Sequence, residues 1–188
     1  NNSTDVNIHQ ITVFNERFFA ATEDGVFYAD SANPNLIDFN NWNTITSANN
    51  HFKNITVFNN KLYTILNTQL YEVNEMNELE FITDFSSTVT GLKESSTNLS
   101  VAFDSSVIVY DTQLIQTFQN SADSDFDYTL NTAFVENNQL FLATNQFGVL
   151  SSTSLEVIAF SEIHPEGPVS NDVFSVTANN NHLWAVYG

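Results

Sequence analysis

The chain has 188 residues, 42% hydrophobic and 13% aromatic with 17 Phe, which is enough apolar mass for a packed core and argues against wholesale disorder. Its 22 acidic and 4 basic residues leave a net charge of −18, which excludes the Lys/Arg footprint that a nucleic-acid binder needs and disfavours anionic membrane surfaces. With no cysteine there is no disulfide framework, thiol catalysis or Cys-ligated zinc, and no apolar run approaches the roughly 20 residues of a membrane-spanning helix.

Taken in order, the chain repeats one pattern: an apolar run, an Asn-rich turn, a second apolar run, a break and a third run. Residues 12–27 read TVFNERFFAATEDGVF and residues 56–71 read TVFNNKLYTILNTQLY. Residues 91–110 are a degraded copy, GLKESSTNLSVAFDSSVIVY, with Ser100 where other copies have an aromatic. Residues 132–150 read TAFVENNQLFLATNQFGVL, and residues 176–188 read VTANNNHLWAVYG. The second runs open at Phe18, Leu62, Leu99, Leu140 and Leu183, at spacings of 44, 37, 41 and 43 residues. A period near 40 with several short strands per unit is the signature of a β-propeller. Helical repeats share that length, but these runs are rich in Phe, Val, Ile, Thr and Tyr and are broken by Asn, Asp, Ser and Gly. The reading is all-β: four full four-stranded blades at about 8–46, 52–84, 87–118 and 129–160, with a partial fifth at 172–188.

Within each blade the second strand is nearly all apolar, as in a strand buried on both faces, and Trp184 is expected in the core there. The turns Asn15-Glu16, Asn59-Asn60 and Asn137-Asn138 supply residues tolerant of positive φ, which tight hairpins need. The fourth strands are expected at 79–84 in the second blade and 155–160 in the fourth, and the first blade's at the segment containing Trp42. Both chain ends read as cuts in a longer protein. The expectation is an open arc whose bare edge is covered by further chain or by a partner.

Candidate chemistry is sparse. Asp123, Asp125 and Asp127 alternate as calcium ligands can, but Tyr128 stands where a calcium loop needs Gly and no Glu follows at the twelfth position, so a solvated inter-blade loop is the preferred reading. No other cofactor is expected. His9, His51, His164 and His182 lie far apart in sequence, without metal-ligand spacing. There is no G-x-S-x-G, HExxH or phosphate loop, and glycosidase propellers need arginine clusters or convergent carboxylates that Arg17 alone does not supply, so no enzymatic activity is expected. Phe39 and Trp42 are candidate stacking surfaces for a sugar, weighed against a role in fastening the fourth strand to its blade. The three N-x-S/T sequons are explained by the abundance of Asn, Ser and Thr.

One stretch is more specific. Glu166-Gly167-Pro168, Asn171, the strand to Val176, and then His182-Leu183-Trp184-Ala185-Val186-Tyr187-Gly188 resemble the propeller repeats of Bacteroidetes two-component regulators. That ending, with the third strands Phe27-Tyr28-Ala29-Asp30 and Leu70-Tyr71-Glu72-Val73, is closer still to the PorZ-like surface components of the type IX secretion system. The resemblance implies an exported, non-catalytic module at the outer-membrane surface or in the periplasm. Its partners would be a sortase-like secretion complex or lipopolysaccharide, and the rest of its own chain would complete the propeller. The alternative is the periplasmic glycan sensor of a hybrid two-component regulator; a carbohydrate-active propeller enzyme is the least favoured.

Overall fold

The computed structural model describes residues 6–45, 50–122, 127–163, 173–179 and 182–187. Their strands fall into four antiparallel four-stranded sheets and one two-stranded sheet, each a simple meander in chain order. The first blade holds β1 (Ile8–Phe14), β2 (Arg17–Thr22), β3 (Gly25–Asp30) and β4 (Asn43–Thr44). The second holds β5 (Phe52–Phe58), β6 (Lys61–Leu66), β7 (Gln69–Val73) and β8 (Leu79–Asp84). The third is β9 (Val89–Glu94), β10 (Leu99–Phe103), β11 (Ser106–Tyr110) and β12 (Gln116–Ser121). The fourth is β13 (Leu130–Glu136), β14 (Gln139–Thr144), β15 (Val149–Ser152) and β16 (Phe160–Ile163), and the hairpin β17 (Val173–Asn179) and β18 (His182–Tyr187) follows. The chain divides into two compact units, one of the first two blades and one of the remainder.

The turns are built as their residues demand. Asn15, Glu16, Asn59, Asn60, Asn137 and Asn138 all have φ between 46° and 63°, so the first hairpins of the first, second and fourth blades close through two left-handed residues, the backbone of a type I′ turn; the third closes through the four-residue loop 95–98 between Glu94 and Leu99. The second turn has its own device. The Thr22 hydroxyl donates to the Gly25 carbonyl at 2.9 Å and accepts from the Asp24 amide; Thr144 donates to Gly148 at 3.0 Å and accepts from the Phe147 amide. A buried threonine that satisfies both sides of the turn explains why these nearly apolar strands end in Thr.

Burial falls across each complete blade. The inner strands are enclosed, with all of β10 buried, whereas β8, β12 and β16 are mostly exposed. In the first unit, Phe19, Ala21 and Val26 of the first blade pack on Phe52, Ile55 and Leu62 of the second. In the second unit, Ala102, Val107 and Val109 pack on Leu130, Ala133, Val135, Leu140 and Leu142. Ala143 and Val149 then meet Val173 and Val176. The seam between the third and fourth blades is unusually close. A Cβ on Gly91 would sit 2.6 Å from the Thr132 hydroxyl and 2.8 Å from the Asn131 carbonyl oxygen, so only glycine lets β13 lie there. The degraded third copy is thus a fitted one: it spends small residues where its neighbour comes close.

Three expectations are corrected. Trp184 is not core: it is 63% exposed, because no blade among the described residues lies against the face of β18 that carries it. The fourth strand of the fourth blade begins at Phe160, since residues 154–157 form a turn in which the Val157 amide donates to Ser154 Oγ at 3.1 Å. In the first blade a short 3-10 turn, Phe39–Asn41, precedes β4, fixed by the Asp38 carboxylate accepting from the Asn40 amide.

Candidate functional site

In the first unit two equivalent turns converge. The turn after β1 and the turn after β5 each deliver a cation as the next strand begins, Arg17 in β2 and Lys61 in β6. Register confirms the equivalence, Phe14 pairing with Arg17 and Phe58 with Lys61. Between them lies a cleft of about 260 Å³, floored by Phe14 and Phe19 and edged by the amides of Asn15 and Asn60 and the carboxylates of Glu72 and Glu75. Two of the chain's four basic residues therefore line one depression.

The two cations are held differently. Lys61 Nζ donates to Glu72 Oε2 at 2.8 Å, the only salt bridge among the described residues, and that bond raises the lysine pKa. Arg17 has no carboxylate partner among the described residues; its guanidinium carbon lies 5.3 Å from the centre of the Tyr28 ring, and Tyr28 stacks on Phe19 at 5.8 Å. A guanidinium set on an aromatic face is oriented while its N–H donors stay available. The far rim is fixed by Asn74, whose Oδ1 accepts from the Met76 and Glu78 amides and whose Nδ2 donates to Glu80. Donors, acceptors and an apolar floor suit a polar ligand with a nonpolar face, such as a sugar ring, or a peptide segment.

The residues singled out from the sequence fare variously. Phe39 and Trp42 are brought together at the 3-10 turn. Phe39 is 68% exposed, whereas the Trp42 indole N–H is committed to the Leu36 carbonyl at 3.0 Å. Asp123 and Asp125 lie outside the described residues, and Asp127 is exposed. Among the described residues no group of three His, Cys, Asp or Glu is placed to hold a metal. Two histidines that are far apart in sequence do meet: His9 and His51 stack with ring centres 4.7 Å apart and planes 7° apart. Asn7 donates to Glu23 beside them, from its side chain at 3.0 Å and its backbone at 3.3 Å. Burial, then the charge of His51, lowers the His9 pKa; Glu23 opposes this and Lys53 adds to it. Sequence reading missed both this pair and the Arg17/Lys61 cleft. The signal was the repeat itself, since each pair is separated by about one period.

This strand order, turn chemistry and blade-on-blade packing define a segment of a β-propeller. No family model and no curated sequence matches the chain. Among solved structures, it is similar to PorZ, a surface component of the type IX secretion system of Porphyromonas gingivalis, with a TM-score of 0.62 and 14% identity over 99% of this chain and 25% of that one. It is also similar to the extracellular domain of a hybrid two-component system of B. thetaiotaomicron, with a TM-score of 0.71 and 13% identity over 98% and 27%. A third is BamB of Moraxella catarrhalis, with a TM-score of 0.59 and 11% identity over 94% and 57%. At these identities the likeness establishes the fold, and the chain spans about a quarter of the length of the first two.

Proposed function

We propose that the chain is a non-catalytic interaction module of an exported cell-surface protein, acting as PorZ-like components do in a type IX secretion assembly that helps a sortase attach cargo to lipopolysaccharide. The observation that carries this reading is the Arg17/Lys61 cleft, an oriented donor pair on an aromatic floor in a chain otherwise almost devoid of cations. The likeness to a surface component over 99% of the chain supports the compartment. A second reading, a glycan-sensing propeller of a two-component regulator, is favoured by the TM-score of 0.71 to such an extracellular domain.

The test is a capture experiment. The immobilised chain is offered solubilised surface complexes from a bacterium with a type IX system, purified lipopolysaccharide, and neutral oligosaccharides. Retention of sortase or lipopolysaccharide, lost in the Arg17→Ala/Lys61→Ala double variant, is the expected result. Retention of neutral oligosaccharides alone selects the second reading, and retention of nothing sinks both.

A further inference from the structure

The Arg17/Lys61 cleft lies wholly within the first unit, on residues 14–77, and its charges are not all matched. Four charged side chains line it: Arg17, Lys61, Glu72 and Glu75. Lys61 and Glu72 are closed on each other at 2.8 Å, which leaves Arg17 and Glu75. In register Arg17 stands opposite a carboxylate, Asp30, yet it forms no ion pair among the described residues. Its guanidinium lies instead over the ring of Tyr28, the diagonal cross-strand neighbour. Glu75 likewise makes no ion pair or side-chain hydrogen bond among the described residues.

The neutral groups are arranged around those two charges. The side-chain amides of Asn15, Asn60 and Asn77 line the same cleft, and none is hydrogen-bonded among the described residues. Each amide offers both donors and an acceptor, which is what neighbouring hydroxyls need. Beneath them the half-buried ring of Phe14 gives an apolar floor. The backbone of the rim is already occupied. Two edges are the closed turns after β1 and β5, and the third is the loop after β7, where the Asn74 amide donates to the Glu78 carbonyl and the Asn77 amide to the Asn74 carbonyl. This rim offers no strand edge on which an extended peptide could add itself. A volume of about 260 Å³ is smaller than the roughly 300–1,000 Å³ of sites for drug-sized ligands, and suits one sugar ring with its substituents.

We propose that the cleft takes one uronic acid residue of an acidic glycan. The sugar carboxylate sits on the Arg17 guanidinium, the ring hydroxyls meet the three amides and Glu75, and the ring face lies on Phe14. The inference rests on the reading of this cleft as the binding site of the module, and adds the chemistry of its ligand. A planar guanidinium held on an aromatic face matches a carboxylate with two parallel N–H bonds. One negative charge is also what the single free cation can match. A phosphate monoester carries about −2 at neutral pH, and its second charge would face Glu72 and Glu75.

Isothermal titration calorimetry on the full chain tests this. The probes are trisaccharides of galacturonate or glucuronate, the same trisaccharides after carboxyl reduction, a galactose phosphate and an acidic peptide. The expected result is that a uronate trisaccharide binds and its carboxyl-reduced form binds at least about tenfold more weakly. Arg17→Ala should cost the uronate the same factor and leave the reduced sugar unchanged, the sign that the two groups act on each other. Arg17→Lys should not restore binding, since an ammonium lacks the planar fork. Arg17 is exposed, so circular dichroism and the melting temperature of both variants should match the parent and exclude misfolding. Equal binding of the reduced sugars, tighter binding of the phosphate or the peptide, or no binding of any uronate would each overturn the proposal. The broader reading fails separately: if capture of surface complexes or lipopolysaccharide is still lost in the Arg17→Ala/Lys61→Ala variant, the cleft remains the binding site and only the uronate is wrong.

Discussion

β1 and β13 occupy the same place in the repeat and meet opposite fates. β13 buries Leu130, Ala133 and Val135 almost completely, whereas β1 leaves Ile8, Ile11 and Val13 half exposed. The residue types are alike, as are the hairpin register and the left-handed turn that follows. What differs is the packing against them: third-blade residues cover β13, whereas no blade among the described residues covers these side chains of β1. Burial in a repeat protein belongs to the neighbour, and composition states only that a neighbour is wanted. The misplacement of Trp184 in the core has the same cause, seen from the other side of a blade.

The comparison can be broken by mutation. Leu140→Ala should cost about 2–5 kcal/mol by denaturant unfolding, because the side chain is fully enclosed at the seam of the third and fourth blades. Gly91→Ala should cost about 1–3 kcal/mol by overpacking against Thr132, although alanine there suits a strand at least as well as glycine does. If Gly91→Ala is neutral, the close approach of β13 is not what holds that seam. Ile11→Ala, measured where the chain is monomeric, should stay within about 0.5 kcal/mol, while Ile55→Ala at the equivalent covered position costs about 2–5 kcal/mol. Equal losses at the two positions would mean that β1 is covered in solution.

The smallest effect concerns pH. Burial and the neighbouring His51 ring hold the His9 pKa below the usual 6.5, so the unfolded chain takes up this proton more readily than the folded one. The stability contributed by neutral His9 is therefore present above 6.5 and fades as pH falls through the lowered value. His9→Gln should flatten the decline in melting temperature just below 6.5. Glu23, whose own pKa is lowered chiefly by the Asn7 side chain, loses its contribution in a more acid window, below 4.5, so the two slopes separate.

Much of the fold was legible because its punctuation is local. A turn pair such as Asn59-Asn60 between two apolar runs fixes a hairpin within a few residues, and five repeats spaced 37 to 44 residues apart fix the architecture. The outer strands were harder to read. They are polar, short and loosely specified, so a Ser154 turn or an Asp38 cap shifts them by several residues without cost to the core. The site was legible only in part. Arg17 and Lys61 look like turn residues one at a time, and become a cleft when two turns are superposed one period apart. The His9–His51 stack arises in the same way, from two strands that no local window contains.

The last hairpin has a kinetic consequence. An isolated pair of strands is marginal in water, so β17 and β18 stay folded chiefly through Val173 and Val176 seated on Ala143 and Val149. Opening of that seam, together with the bond from the Asn131 side-chain amide to the Val173 carbonyl, releases the whole hairpin while β13, β14 and β15 remain paired. Its amides should therefore exchange with deuterium through local opening, well ahead of those in β14.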